Sequence, residues 1–124
     1  MQPILVVEDD KEMRGLLAEV LRVAGYPVIT ANNGAQALVE MYRTRPSLIL
    51  LDLMMPGMSG QQFRAAQLHD PAVSGIPVVC VSAAFDAAAA AAAMGAVGCV
   101  IKPIHFDELI GKIEAHLGPG HQAE

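Results

Sequence analysis

Five short runs of apolar residues recur along the chain, and several of them end at a charged or hydroxyl residue. Continuous apolar runs this short are typical of strands that are buried on both faces of a parallel sheet. The pattern therefore predicts five strands, over residues 3–7, 28–31, 47–51, 76–81 and 98–101.

Stretches with helical periodicity separate these runs. Residues 11–24 place apolar side chains at i, i+3, i+4, i+7 and i+8 along one helix face, and residues 33–43 begin at Asn33, a favourable cap. The unbroken alanine run 87–93 is predicted to be a helix that Asp86 caps and Gly95 ends. Residues 59–68, where the pattern is weaker, and residues 107–117 complete five predicted helices.

The alternation of five strands with five helices predicts right-handed crossovers and an α/β fold with a doubly wound parallel sheet. No internal linker or repeat divides the chain, so we expect a single domain over residues 1–118. Residues 119–124 are expected to form a flexible C-terminal tail, with fraying from Gly118.

The composition narrows the class of protein. With 8 Lys and Arg against 13 Asp and Glu in 124 residues, the formal charge is −5, which argues against direct binding of nucleic acid. Although 53% of the residues are hydrophobic, alanine inflates this figure, and no run is long enough for a membrane span. The acids at positions 8–10 argue against a signal peptide, and two cysteines are too few for a disulfide framework. We therefore expect a cytoplasmic protein.

Polar side chains follow four of the predicted strands: Glu8 and Asp9 the first, Asp52 the third, Ser82 the fourth and Lys102 the fifth. Ligands of open α/β sheets bind in the crevice outside these carboxyl ends. If the first and third strands are neighbours, the three carboxylates converge, and Mg²⁺, which prefers oxygen ligands, would relieve their repulsion. The lysine and the hydroxyl are suited to holding phosphate oxygens.

The three acids differ in the role that their positions favour. Asp52 stands alone after an apolar strand, which makes it the better candidate for a nucleophile that forms an acyl phosphate. Glu8 and Asp9 form a pair that is better suited to holding a metal. For any single acid, helix capping is an equally good interpretation, and Asp9 or Asp10 would cap the helix that follows. The agreement of four strand ends favours a functional site.

Four motifs carry a resemblance to a known family. They are Ile4-Leu-Val-Val-Glu-Asp-Asp10, Leu50-Leu-Asp-Leu-Met-Met-Pro-Gly57 with Gly60 following, Val81-Ser-Ala83 and Ile101-Lys-Pro103. In this order, from about residue 3 to residue 117, the chain resembles the receiver domain of two-component response regulators. The resemblance implies a flavodoxin-like (βα)5 sandwich in which the strands are ordered 2-1-3-4-5.

The resemblance also implies a role for each residue at the strand ends. Asp52 would accept a phosphoryl group from a histidine kinase or a histidine phosphotransfer protein. The ligands of Mg²⁺ would be Glu8, Asp9, Asp52 and the main-chain carbonyl of Met54. Ser82 and Lys102 would each bind a phosphoryl oxygen, and the Lys102–Pro103 peptide bond would be cis.

The function implied by the resemblance is signalling. Such a protein is no enzyme in the usual sense, because it catalyses only its own aspartyl phosphorylation and dephosphorylation. Ser82 would move inward on phosphorylation and change the surface formed by the fourth helix, the fifth strand and the fifth helix. That surface would bind a downstream protein or a second copy of the chain, without direct contact to nucleic acid or membrane. Since the receiver would fill the chain, no effector domain is expected.

Two positions that tune the lifetime of the phosphoryl group in this family hold unusual residues. Met54 and Ala84 lie two residues beyond Asp52 and Ser82, and neither side chain can position a water by hydrogen bonding. We therefore expect no assisted hydrolysis from these positions.

The aromatic half of the family's usual switch is also missing. Cys99 stands where an aromatic side chain often moves together with the hydroxyl, and Phe106 would either compensate by packing or belong to the core. Cys80 and Cys99 are predicted on adjacent strands, where burial as small hydrophobic residues is favoured over a redox pair.

Several other residues have two interpretations. Met54, Met55 and Met58 would either help a protein partner to dock or fold back on the core. The start of the first helix usually faces the kinase in this family; its residues here are Met13, Arg14 and Leu17, of which Leu17 would also serve as core. The histidines lack metal-ligand spacing and are not expected at the strand ends; they are His69, His105, His116 and His121.

Three alternative functions fit the residues less well. A receiver-like scaffold that works only by binding would need none of the strand-end acids. A phosphatase of the haloacid dehalogenase type would need a second acid where Met54 stands. A flavin-binding protein would need a loop rich in Ser, Thr and Gly where Glu8, Asp9 and Asp10 stand.

Overall fold

The computed structural model describes residues 2–120, in which helices and strands alternate from the first strand to the last helix. The strands are β1 (Ile4–Val7), β2 (Val28–Ala31), β3 (Leu48–Asp52), β4 (Val78–Ser82) and β5 (Gly98–Ile101). The helices are α1 (Lys11–Val23), α2 (Gly34–Thr44), α3 (Gly60–Leu68), α4 (Ala87–Ala93) and α5 (Phe106–Leu117). Every predicted element is present, within two residues of its expected bounds.

The five strands form one parallel sheet in the order β2-β1-β3-β4-β5, which confirms the doubly wound flavodoxin-like topology. The interior strands β1, β3 and β4 are buried along their whole length, as their continuous apolar sequences predict. Strand order reverses between β1 and β3, so the crevice in which this fold binds ligands opens at their carboxyl ends.

Alternate side chains of the sheet pack into two separate cores. On one face, Ile4, Leu50 and Val79 pack against buried leucines of α1 and α5. On the other face, strand residues such as Leu5 and Ile49 pack against α2, α3 and α4. The period of two along each strand divides the apolar residues between the two layers of helices.

The alanine run forms α4, which packs against β4 and β5. Ala87 and Ala91 are buried on the sheet, and small side chains at these positions allow a close approach of the helix. Just before the helix, Phe85 is 103% exposed. The output surface implied by the resemblance therefore has a small apolar helix with one large aromatic side chain beside its start.

Helix starts in this fold are held mainly by side-chain caps. Asp10 accepts a hydrogen bond from the Glu12 amide, so the capping interpretation holds for Asp10. Asn33 caps α2 as predicted, and Ser59 forms a capping box at the start of α3. The prediction for Asp86 was wrong: Asp86 precedes α4 but makes no capping hydrogen bond, because its backbone is not in the extended conformation that directs a cap.

The end of the domain is tied to the body of the protein at Gly118. The buried Tyr26 donates a 2.7 Å hydrogen bond from its hydroxyl to the Gly118 carbonyl, so the expected fraying from Gly118 is wrong for this residue. The flexible tail over residues 119–124 stays a prediction, and residues 121–124 of it lie outside the described part of the chain.

Among residues 2–120, no helix has both the length and the apolar character that crossing a membrane requires.

Candidate functional site

The three acids predicted at the strand ends lie together in the structure. β1 and β3 are neighbours, with Val7 paired to Leu51, so the residues that follow them, Glu8 and Asp52, emerge side by side. One carboxylate oxygen from each of Glu8, Asp9 and Asp52 lies within 4.8 Å of the others. Glu8 and Asp52 are 1% and 2% exposed, whereas Asp9 is exposed to solvent. The crevice thus combines a buried pair of carboxylates with a third that water can reach.

Lys102 reaches this cluster from the end of β5. Its Nζ lies 3.2 Å from Glu8 Oε1 and 3.4 Å from Asp52 Oδ2, so one ammonium bridges two buried carboxylates. The Lys102–Pro103 bond that follows is cis, as expected. Three acids against one lysine leave an excess of negative charge.

The pKa values of the groups reflect this crowding. Burial raises the pKa of Glu8, the adjacent Asp52 raises it further, and Lys102 offsets only part of the rise. Burial by itself would lower the pKa of Lys102, but the charges of Asp52 and Glu8 outweigh it and raise the pKa above the usual value for lysine. The donor set consists of carboxylate oxygens with excess negative charge, which suits a hard divalent cation such as Mg²⁺.

Asp52 and Ser82 are held by the main chain that follows each of them. Asp52 Oδ1 accepts a hydrogen bond of 3.0 Å from the Met54 amide, which orients the carboxylate. Ser82 is 1% exposed, and its Oγ accepts a hydrogen bond of 3.1 Å from the Ala84 amide. The Ser82 hydroxyl hydrogen is thus available to another acceptor. All five predicted strand-end residues are present at the same edge of the sheet.

A comparison with known protein families identifies the family to which this chain belongs. The family model described as "Response regulator receiver domain" matches residues 4–114. The chain belongs to the response regulator receiver family.

Named relatives of this receiver domain include two bacterial regulators. It is 37% identical over 118 residues to the DNA-binding response regulator MtrA of Mycolicibacterium smegmatis, a match that covers 94% of the chain and 50% of MtrA. It is 33% identical to Protein PilG of Pseudomonas aeruginosa, and this match covers 92% of the chain and 86% of PilG. The chain therefore spans about half the length of MtrA and most of the length of PilG.

A solved structure with the same fold was determined with a metal ion bound. The response regulator TrrA of Thermotoga maritima, determined in complex with Mg²⁺ and BeF, superposes with a TM-score of 0.83 at 31% identity, covering 93% of this chain and 98% of that one. The family assignment and this likeness favour the receiver over the phosphatase and flavin-binding alternatives.

The structure also adds a residue to the site that the sequence placed elsewhere. Arg14, expected on the kinase-facing surface of the first helix, donates from Nη1 to the main-chain carbonyls of Glu8 at 3.0 Å and Asp9 at 3.3 Å. The only sign of this contact in the sequence is an arginine six residues after the first acid. Spacing alone does not show that its long side chain folds back over the start of the helix.

The cysteines are directly opposed across β4 and β5, as their predicted adjacency requires. Both are free thiols, and burial, followed by the effect of Cys99, raises the pKa of Cys80 to about 11. Burial also raises the pKa of Cys99. Thiols that stay protonated are poor nucleophiles, which favours their interpretation as small packing residues.

The methionines, Phe106 and the histidines differ in where the structure places them. Met55 is buried and Met58 packs against the core of α2, α3 and α4, whereas Met54 is 63% exposed beside Asp52. Phe106 packs partly buried against the core of α1 and α5, in keeping with a core role. Three histidines lie at or near helix ends, at positions 69, 105 and 116, and none of them belongs to the acid cluster. Position 121 lies outside the described residues.

Proposed function

We propose that this receiver domain accepts a phosphoryl group on Asp52 and that it does so with Mg²⁺ bound. The donor is a histidine kinase or a histidine phosphotransfer protein. The observation that supports the proposal is the convergence of three carboxylates, of which the two buried ones share the single ammonium of Lys102. A structural ion pair would need one acid for this lysine, whereas a metal-dependent phosphoacceptor needs the additional carboxylates as ligands.

The ligands proposed for Mg²⁺ are Glu8, Asp9, Asp52 and the main-chain carbonyl of Met54. When bound, the ion supplies positive charge that neutralises the phosphoryl oxygens. The likeness to TrrA, determined with Mg²⁺ and BeF, supports a metal at this edge of the sheet. The three carboxylates alone offer enough oxygen ligands for a cation that usually keeps several waters.

In the transfer itself, Asp52 is the nucleophile. A carboxylate oxygen attacks phosphorus, the phosphorus–nitrogen bond of the donor phosphohistidine breaks, and the imidazole leaves with the electron pair. The Met54 amide fixes the orientation of the carboxylate. Lys102 compensates the charge of one phosphoryl oxygen, and the Ser82 hydroxyl donates to another. Such positioning and charge neutralisation are the main requirements of phosphoryl transfer.

The phosphorylated state is expected to decay without help from the side chains of Met54 and Ala84. Met54 projects an exposed thioether chain and Ala84 only a methyl group, so neither holds a water in line with the phosphorus. The chain catalyses its own phosphorylation and dephosphorylation, and we propose no other reaction for it.

We further propose that the signal leaves through the face of α4, β5 and α5, towards a downstream protein or a second copy of the chain. Phe85 and Ile101, which are exposed on or beside this face, offer apolar contacts. With a formal charge of −5, the domain itself is not expected to contact DNA or a membrane surface, although MtrA is named as DNA-binding. A cytoplasmic location is consistent with the two free thiols.

Intact-protein mass after incubation with acetyl phosphate and Mg²⁺ tests the proposal. The wild-type chain should gain one phosphoryl group, and Asp52→Asn should gain none. Asp10→Asn is the matched control, because it removes a nearby carboxylate but keeps an efficient helix cap, and it should be labelled like the wild type. A wild-type chain that binds no Mg²⁺ and takes no label would instead support the scaffold that works only by binding.

A further inference from the structure

The side chain of Arg14 forms hydrogen bonds with the main chain of the turn between β1 and α1. Arg14 Nη1 donates to two consecutive carbonyl oxygens, those of Glu8 and Asp9. These are the residues that carry two of the three clustered carboxylates. The guanidinium therefore contacts the backbone of both acids without touching their carboxylates.

We propose that Arg14 is a positioning residue for the Mg²⁺ site, acting through the backbone of Glu8 and Asp9. The inference rests on the proposed metal-dependent function and assigns to Arg14 a role other than contact with a kinase. Groups that orient metal ligands commonly affect metal affinity almost as much as the ligands themselves.

The physical reason lies in the geometry of the two peptide groups. Holding both carbonyls at one guanidinium fixes the planes of the peptides that follow Glu8 and Asp9, and so the directions of their Cβ atoms. Glu8 has further restraints, because its carboxylate also meets Lys102 and the Asp10 amide. Asp9 is exposed, so its approach to Asp52 depends on the backbone that Arg14 holds.

Charge and positioning make opposite predictions for the loss of Arg14. Its cation lies beside the metal site and repels Mg²⁺, so a purely electrostatic role means that neutralising Arg14 tightens metal binding. A positioning role means that neutralising it weakens metal binding, because the ligands lose their fixed directions. The sign of the change in affinity therefore separates the two effects.

The test measures Mg²⁺ dissociation constants by isothermal titration calorimetry for wild type, Arg14→Gln, Arg14→Lys and Arg22→Gln. Arg22 is the matched control, since it lies on the same helix and its guanidinium also donates to a carbonyl, that of Val28, far from the acids. We expect Arg14→Gln to bind Mg²⁺ about tenfold more weakly than the wild type. Arg14→Lys should recover part of the affinity, because lysine keeps a hydrogen-bond donor but lacks the planar guanidinium. Arg22→Gln should bind like the wild type.

The outcomes distinguish this inference from the function on which it rests. Unchanged or tighter binding in Arg14→Gln overturns the positioning role, and so does equal weakening in Arg22→Gln. A wild-type chain without Mg²⁺ affinity overturns the metal site and the role of Arg14 together. With Mg²⁺ at saturating concentration, Arg14→Gln should still take one phosphoryl group from acetyl phosphate, because Asp52 itself is intact. Amide exchange of Asp9 and Asp10 in the metal-free chain should be faster in Arg14→Gln than in Arg22→Gln.

Discussion

The buried position of Glu8 sets stability against function. Its carboxylate is buried, and burial and the neighbouring Asp52 raise its pKa above the ordinary value of 4.5. A higher pKa in the folded state than in the unfolded state means that the native chain holds this proton more tightly. Without metal, the contribution of Glu8 to stability is therefore lost as the pH rises from 4.5 through the raised pKa.

We predict that Glu8→Gln stabilises the metal-free chain at pH 7 by about 0.5–2 kcal/mol, the usual range of single stabilising substitutions. The same change should weaken Mg²⁺ binding, because it removes a ligand. Urea unfolding at pH 7 and at a pH below 4.5 measures the effect on stability, and the gain should shrink at the lower pH, where Glu8 is protonated in both states. Asp10→Asn is the control and should change stability by less than about 0.5 kcal/mol. A loss of stability in Glu8→Gln at pH 7 would show that its ion pair with Lys102 outweighs the crowding.

The site residues differ in how well the sequence predicts them. Residues that directly follow an apolar strand, such as Asp52 and Lys102, were predictable because parallel strands bring their carboxyl ends to one edge. The contact of Arg14 with the turn after β1 was not, because it depends on where a flexible side chain folds back. The cap at Asp86 failed for a related reason, since capping depends on backbone angles that the residue type does not determine.

At the scale of elements, the two ends of α4 are held very differently. Its C-terminal end is bound by Arg64 of α3, which donates to the carbonyls of Met94 at 3.0 Å and Gly95 at 3.3 Å. Arg64 is 6% exposed, burial lowers its pKa, and it also donates to Gln67 at 2.7 Å. The N-terminal end has no side-chain cap from Asp86. Any rearrangement of α4 should therefore be larger at its start than at its end.

We predict that Arg64→Met destabilises the chain by about 2–4 kcal/mol, because two helix-end carbonyls and the Gln67 side chain lose a buried donor. Urea unfolding gives the magnitude, and hydrogen exchange should show faster exchange at the C-terminal end of α4 than in wild type. Arg43→Met is the control, since Arg43 pairs with Glu40 on the surface of α2 and should contribute less than about 0.5 kcal/mol. Equal effects of the two substitutions would contradict a specific anchor at Arg64.

The helices were predictable as elements, but this link between them was not. The periodic apolar residues of α1 and α5 identify their buried faces, and the alanine run identifies α4. In α3, by contrast, the buried set includes Arg64 and Gln67 together with Phe63. Buried polar residues that form hydrogen bonds with one another weaken the apolar pattern of a helix, which is why the helical periodicity of α3 is weak in the sequence.

At the scale of the whole molecule, a short segment connects the site to the proposed output face. Ser82 Oγ holds the Ala84 amide, and the next residue is the fully exposed Phe85 at the approach to α4. If the Ser82 side chain rotates inward to reach a phosphoryl oxygen, its Oγ moves away from the Ala84 amide and the hydrogen bond between them breaks. The segment that carries Phe85 then loses its attachment to the site. Phosphorylation of Asp52 would in this way alter the apolar surface beside α4 that carries Phe85.

A single tryptophan can report this change, because the chain contains none. Phe85 is already fully exposed, so any change in the exposure of its side chain must bury part of it. We therefore predict a blue shift in the emission of Phe85→Trp when acetyl phosphate and Mg²⁺ are added. Adding Asp52→Asn or Ser82→Ala to this variant should abolish the shift.

The control places the reporter on the opposite side of the site. Val39 is 63% exposed on α2, so Val39→Trp carries a largely accessible indole on a helix that packs against β1 and β2. Its emission should not change on phosphorylation. If intact mass shows full labelling of Phe85→Trp and the emission stays the same, the signal does not pass from Ser82 through Ala84 to Phe85. The route to the output face would then have to run through Lys102 and β5, whose last residue, Ile101, is paired with Ser82 in the sheet.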